Sequence, residues 1–395
     1  MKICGIVSEY NPFHKGHEFH IKESKKITGC DAIVCVMSGN FVQRGEPAIL
    51  NKFERAKIAV NHLDAVIELP CAFSLSSAED FAYYAIKILN DIKAEYISFG
   101  SECGDIDILQ KIADLLTSEP LEFKNIIEAY LKHGFSLAKA KTEALKKYFN
   151  DDKISDVILS PNNLLGIEYL KAIKKLKSKI IPITVKRTGS YNEDVIDCSS
   201  PSSKAIRYLI EKDKVIDSKN CMDKKSFELL NESIKTYGMV NQKTLSDTIL
   251  YKLRTIDKKS LKKVNSVCEG LENRIKEFCN TAVDLSELIE KIETKRYPNS
   301  RLKRILMNAI LDIDKKLVKS SKKTQPYIKI LAINNKDILT YLSSINVLTI
   351  ARFSDYVKIK SRTLKKLIEI DIKSTSVHNI LFKNKAFNDY GYKVF

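Results

Sequence analysis

His14 and His17, separated by Lys15 and Gly16, are the residues of this sequence best placed for phosphoryl chemistry. Three apart on a helix, the two rings lie on one face, and each can donate a ring N–H to the same phosphoryl group. The stretch Gly5-Ile6-Val7-Ser8-Glu9-Tyr10-Asn11-Pro12-Phe13-His14-Lys15-Gly16-His17 explains how they get there. Ile3 to Val7 reads as a buried strand, Asn11-Pro12 stops it, and a helix carrying the histidines follows. A helix that starts where a strand ends points free backbone N–H groups and the positive end of its dipole at whatever sits above the turn, which suits phosphate. Gly16 lets a flat ring approach the backbone. Two other accounts fit the same residues. One is a metal site from His14, His17 and His20, although no carboxylate or thiolate stands at a matching position. The other is histidines that only pack. Three of the six histidines fall directly after the first strand, which favours chemistry.

The elements that must hold this turn follow in order. Asp31 to Met37 and Ala65 to Leu69 read as apolar strands, and Glu95 to Phe99 as a fourth closed by Gly100-Ser101-Glu102. Helices are expected over Asn51 to His62, with Lys52, Arg55 and Lys57 on it, and over Ser74 to Asn90. Ile180 to Lys186 is a further strand, with Arg187-Thr188-Gly189-Ser190 as its exit loop. Short strands separated by single helices imply right-handed crossovers and a parallel sheet, with ligands at the carboxyl ends of the strands. The loops Ser8–His17, Ser38–Arg44 and Gly100–Glu102 then converge over one crevice. Asn162-Asn163 opens a helix, and a serine-rich segment from Cys198 to Arg207 opens another.

The chain has 395 residues, 29% of them charged and 44% apolar, enough for two domains with their own cores. It has no run of eighteen apolar residues, and its N-terminus enters a strand at once with no signal peptide, so the cytoplasm is the expected location. Nine scattered cysteines without a C-x-x-C pair read as reduced core residues. The charge is lopsided: residues 1–215 hold 30 Lys and Arg against 29 Asp and Glu, and residues 216–395 hold 36 against 20. Such asymmetry points to a polyanion held by the second half. That half reads as mainly helical, as in the apolar spacing of Leu302, Ile305, Leu306, Ala309 and Ile310. Arg301, Lys303 and Arg304, just after Tyr297-Pro298, are its best phosphate-contacting cluster; a solvated helix face is the plainer account.

His-Lys-Gly-His in a strand, turn and helix resembles the H-x-G-H signature of nucleotidylyltransferases and class I aminoacyl-tRNA synthetases. Ser199, Ser200, Ser203 and Arg207 match in type their second signature, I-S-S-T-x-I-R, from which Pro201 departs. The longer string from Gly5 to His17 is similar to the bacterial tRNA(Met) cytidine acetate ligase family, over essentially the whole chain. The resemblance implies an α/β fold: a Rossmann-like parallel-sheet nucleotidylyltransferase domain over 1–215, with a helical insertion at about 105–160, then a mainly helical, basic tRNA-binding domain over 216–395. It implies an ATP site made by Ile6, Val7, Ser8, Glu9, Tyr10, Asn11, Pro12, Phe13, His14, Lys15, Gly16, His17, Glu18 and Phe19, with Gly100, Asn162 and Arg187. Asn163 is the alternative to Asn162. His14 and His17 would be catalytic, with Mg²⁺ on the outgoing pyrophosphate and no metal held by the protein. The implied substrates are ATP, acetate and elongator tRNA(Met), with no membrane or protein partner. Acetate would attack the α-phosphate of ATP, and the wobble cytidine amine would then take the acetyl group.

Two other functions share parts of this pattern. A small-molecule adenylyltransferase of cofactor biosynthesis fits the first half but has no use for a large basic second half. A nucleic-acid-binding protein with a retired nucleotide fold is at odds with intact His14, Gly16 and His17. Pyrophosphate–ATP isotope exchange separates the three: acetate-dependent, dependent on a cofactor precursor, or absent.

Overall fold

The computed structural model describes residues 1–151, 154–187, 201–382, 386 and 389. Ser199 and Ser200 of the second signature, and Thr188 to Ser190 of the exit loop, lie outside them.

Seven strands form the main sheet. β1 (Ile3–Ser8), β2 (Ala32–Ser38), β5 (Ala65–Leu69), β6 (Tyr96–Ser101) and β7 (Ile181–Lys186) come from the first half, and β8 (Ile328–Ile333) and β9 (Thr349–Ile350) from the second. β3 (Phe41–Val42) and β4 (Glu46–Pro47) make a small separate hairpin. The order is β7-β6-β1-β2-β5-β8-β9, parallel from β7 through β5. All seven residues of β2 and all five of β5 are buried, as expected of strands covered on both faces. Alternation divides their side chains between two cores. Ala32, Val34, Val36, Ala65, Ile67 and Leu69 join one; Ile33, Cys35, Met37 and Val66 join the other.

The chain leaves β1 toward β2 and β5, then returns to place β6 on the other side of β1. That reversal opens a crevice at the carboxyl ends of β1 and β6, the switch point where open α/β sheets bind ligands. Side-chain caps start the helices around it. Asn51 Oδ1 accepts from the N–H groups of Phe53 and Glu54, both at 3.0 Å, to begin the helix Lys52–Ala59. Ser77 caps Ala78–Asp91, and Ser202 caps Ser203–Glu211. The helix expected from Ser74 to Asn90 begins instead at Ala78, because Ser77 caps it, and Cys71–Ser74 is a separate short helix before it. Helices Ile106–Ser118, Leu121–Lys132, Leu137–Phe149 and Ile154–Leu159 follow β6, and Pro161–Leu176 then returns the chain toward β7.

The second half is mainly helical, yet it completes the first half's sheet. β8 pairs antiparallel with β5, opposing Ala65 to Ile333 and Val66 to Ala332, and β9 continues parallel to β8. A buried ionic network crosses the same boundary. Lys52 Nζ lies 2.9 Å from Glu68 and 2.9 Å from Asp389, and Lys329 Nζ lies 2.8 Å from Glu68 and 2.7 Å from Asp389. Each charge has two opposite partners, which is what makes four buried ions tolerable. Among the described residues seven cysteines are free thiols. Cys221 is disulfide-bonded, a departure from the all-reduced reading that its isolated position in the sequence did not signal.

Candidate active site

The turn after β1 is held from three sides. Arg55, fully buried, donates to the carbonyls of Glu9 (2.5 Å), Ser38 (3.1 Å), Leu50 (3.2 Å) and Gly39. One guanidinium thus ties the exits of β1 and β2 together. Burial pushes its pKa down to about 10, which leaves it charged at neutral pH. Asn11 Oδ1 accepts from Ile49 N at 2.9 Å, Asn11 O accepts from Arg207 at 2.7 Å, and Ser203 Oγ donates to Pro12 O at 3.1 Å. Tyr10 takes a left-handed backbone conformation, φ 42°, at the point where strand becomes loop.

The helix that follows, Lys15–Thr28, is capped by its own histidines. His14 Nδ1 accepts from Gly16 N at 3.1 Å, and His17 Nδ1 accepts from His14 N at 3.3 Å, a capping box with imidazoles in both roles. A nitrogen that accepts carries no proton, so each neutral ring holds its proton on Nε2. Burial is the first reason both rings stay neutral: it takes His14 down to about 3 and His17 well below its usual value, with Arg187 acting in the same direction on both. The result is two stacked neutral rings, each with an Nε2–H left to donate. Gly16 has a different role from the expected one. A Cβ there would stand 3.0 Å from His14 Cε1, so the ring that needs the space is His14's own.

These rings line a cavity of about 400 Å³ at the switch point, within the usual range for a small-molecule site. Ile6 to Asn11, His14, His17, Gly100, Asn162 and Arg187 all border it. Pro12, Phe13, Lys15, Gly16, Glu18 and Phe19 do not. Phe13 stacks on His62 at 4.5 Å, Glu18 pairs with Lys22 at 2.6 Å, Lys15 is exposed, and Phe19 is 45% exposed on the helix's outer side. Gly100 is there for clearance, since a Cβ would meet Arg187 Cγ at 3.2 Å. The two asparagines separate cleanly. Asn163 is buried, its Oδ1 accepting from Glu102 N (2.8 Å) and Cys103 N (3.2 Å), whereas Asn162 faces the cavity with its Nδ2 donating to Glu102 Oε1 at 2.6 Å. Glu102 also accepts from both backbone N–H groups, so it caps this helix from another element.

The sequence reading passed over part of the wall. Leu165 and Tyr169 follow Asn162 at helical spacing and share its face; Phe81, Phe99 and Leu164 add apolar surface, and Lys204 and Arg44 add charge. The periodicity from Asn162 onward was the available signal. Glu9 is the sole carboxylate among the described lining residues, against Arg44, Arg187, Lys204 and Arg207, so the cavity is built for an anion. Burial raises the Glu9 pKa, although its Oε1 accepts from Gln43 N at 2.7 Å.

In the histidine trio, Nδ1 of His14 and of His17 accepts from backbone N–H, and His20 Nε2 lies 2.9 Å from Ser98 Oγ. Among the described residues, metal-compatible side chains gather at Glu18, His62 and Asp223, outside the cavity. The basic cluster of the second half is also partly engaged. Lys303 pairs with Glu46 at 2.7 Å, Arg304 donates to Gln43 O at 3.3 Å, and Arg301 lies over the Tyr297 ring at 4.7 Å. Tyr297 itself is buried, with its hydroxyl on Cys268 O at 2.5 Å. Two of the three cations thus brace the hairpin beside the cavity.

A parallel sheet whose first strand delivers a histidine-capped helix to an anion-binding switch point defines a nucleotidyl transferase, and the HIGH Nucleotidyl Transferase family model matches residues 1–393. The chain belongs to the tRNA(Met) cytidine acetate ligase family within that class. It is 40% identical to the enzyme of that name from Acetivibrio thermocellus over 405 residues, covering 99% of this chain and 98% of the relative. It is 42% identical to that from Caldicellulosiruptor saccharolyticus, covering 97% and 95%. The crystal structure of Thermotoga maritima TmcAL in its apo form superposes with a TM-score of 0.91 at 30% identity, covering 97% and 95%, and that of the same protein bound with alpha-thio ATP with a TM-score of 0.89.

Proposed function

We propose that this chain is an ATP-dependent ligase that activates acetate as acetyl-adenylate and transfers the acetyl group to the N4 amine of the wobble cytidine of elongator tRNA(Met). The observation that carries the reading is the pair of neutral, stacked imidazoles at the switch point of a family fold, each with an Nε2–H free of the cap. An acetate oxygen attacks the α-phosphorus, pyrophosphate leaves, and the five-coordinate state in between carries extra charge on its oxygens. His14 and His17 donate to that charge, and Arg187 pairs with phosphate. Asn162 and the apolar wall with Tyr169 hold the adenosine. Among the described lining residues Glu9 is the one carboxylate, so a Mg²⁺ ion would be held chiefly by the triphosphate itself and would supply charge neutralisation for the outgoing pyrophosphate.

In the second step the cytidine amine attacks the acyl carbon, the C–N bond forms, and the C–O bond to phosphate breaks with its electron pair on AMP. The amine's lone pair is drawn into the pyrimidine ring, which is why the acyl group must carry so good a leaving group. Glu9, the cavity's carboxylate, takes the proton. The first half serves ATP and acetate, and the basic second half serves tRNA. A tRNA acceptor supports a cytoplasmic location. No helix among the described residues is long and apolar enough to cross a membrane. A small-molecule adenylyltransferase would leave the basic half without a task. The test is mass analysis of tRNA(Met) after incubation with ATP and labelled acetate, beside pyrophosphate–ATP exchange without RNA. Label on the tRNA and acetate-dependent exchange are the expected results; exchange that ignores acetate would overturn the reading.

A further inference from the structure

A second cavity, of about 500 Å³, lies beside the first, and the same two elements wall both. The hairpin puts Gln43 and Arg44 into the first cavity, and Gly45, Glu46 and Pro47 into the second. The helix Ser203–Glu211 puts Ser203 and Lys204 into the first, Ile210 and Glu211 into the second, and Arg207 into both. Arg207 is fixed at this partition by its donation to Asn11 O at 2.7 Å. Glu46 on the second side and Glu9 on the first both act on its charge.

The far wall belongs to the second half of the chain. Leu245, Leu306 and Met307 form a buried floor, with Met239, Val240 and Leu285 half-buried above it. The rim is polar: Lys303 paired with Glu46 at 2.7 Å, and the exposed Lys212 and Gln242.

We propose that this second cavity receives the base of the acceptor nucleotide, a cytosine-class ring, and presents it to the activated acyl group across the Arg207 partition. The proposal rests on the acetyl-transfer reading above. An enzyme that works on a nucleobase inside a closed site must take that base out of its stack and hold it in a pocket. An apolar floor and wall with two thioethers, Met307 below and Met239 above, suits the faces of a planar ring, and a rim of amide, ammonium and carboxylate groups suits its hydrogen-bonding edge. The rim cations stand where the flanking phosphates of a strand entering from the basic half would pass. A bare anion would have no use for the floor, and a small apolar metabolite none for the rim.

The full chain can be tested with an anticodon stem–loop RNA carrying either cytidine or an abasic site at the acceptor position. By fluorescence anisotropy the abasic RNA is expected to bind at least tenfold more weakly, and Met239→Trp or Leu285→Trp, which fill the cavity from half-buried wall positions, should close that gap. Both variants should acetylate RNA at least tenfold more slowly while keeping acetate-dependent exchange within twofold. Equal binding of the two RNAs by the unaltered protein, or full transfer by both tryptophan variants, would overturn the proposal. Should the tryptophans disturb exchange through the shared wall, Gln242→Ala decides: a rise of threefold or more in KM for RNA with exchange intact supports the site, and an unchanged KM removes it. Exchange that is not acetate-dependent in the unaltered protein would overturn the ligase reading instead.

Discussion

His14 and His17 stack with ring centroids 3.8 Å apart and an interplanar angle of 27°. Each ring spends its Nδ1 on the backbone and keeps its Nε2–H, so the start of the helix and the proposed pair of phosphoryl donors are one structure.

That dual role separates two substitutions. Asparagine is a good N-cap and alanine is not, so His14→Asn should lower acetate-dependent exchange at least tenfold with little change in melting temperature. His14→Ala should lose the same activity and about 1 kcal/mol of stability besides. Exchange near the unaltered rate in both His14→Asn and His17→Ala would remove the pair from catalysis.

Buried neutral histidines also set a pH dependence. His14 and His378 are held at about 3 and His20 at about 4, chiefly by burial, whereas an unfolded histidine takes its proton near its ordinary value of about 6.5. Between those values the unfolded chain binds more protons, so stability is fully present above about pH 6.5 and declines as pH falls below it. Thermal melts from pH 7.5 to 4.5 should show the decline, and His378→Gln should flatten it. A melting temperature that rises on acidification through this window would contradict the neutral assignment.

Arg187→Ala should weaken ATP binding by calorimetry, because a phosphate would lose a charge-assisted partner. Gly100→Ala should act in the same direction and more weakly, by pressing on Arg187 Cγ. Unchanged affinity in both would place the triphosphate elsewhere.

The basic cluster now divides. Lys303 and Arg304 hold the hairpin that walls the cavity, so neutralising those two should lower exchange as well as tRNA binding. Arg301→Ala should leave exchange intact while raising the tRNA concentration needed and flattening its salt dependence. An Arg301 variant that loses exchange would show a structural role.

The four-charge network offers a stability test. Glu68→Gln leaves Lys52 and Lys329 buried with less counter-charge and should cost about 3–5 kcal/mol in chemical denaturation. A loss below about 1 kcal/mol, the scale of an exposed pair, would mean that water reaches the network.

The apolar runs of the first half were legible because central parallel strands are buried on both faces and show it in sequence. The histidine turn was legible because its residues are contiguous. β8 was not read, although Ile328 to Ile333 is just such a run: Lys329 at its second position argues for exposure until Glu68 and Asp389, far away in sequence, supply its partners. Asn162 and Asn163 differ only in which way a helix turns them. Tyr297 and its neighbouring cations looked like an exposed binding face because spacing gives no account of what packs against it.

The place of β8 bears on how the protein is made. β5 reaches its neighbour on one side early, but its other edge stays bare while the chain is synthesised from Leu69 to Ile328, on the order of tens of seconds at ~5–20 residues per second. A bare, buried-type edge is a template for the wrong strand. Glu68 makes it a poor one for any uncharged segment, and Lys329 gives the intended strand its matching charge at 2.8 Å. Lys329→Ile should therefore raise aggregation during translation in vitro more than the charge-swapped pair Glu68→Lys with Lys329→Glu. The ion pair at the join of the two halves works as an address that β8 carries to an edge made long before it.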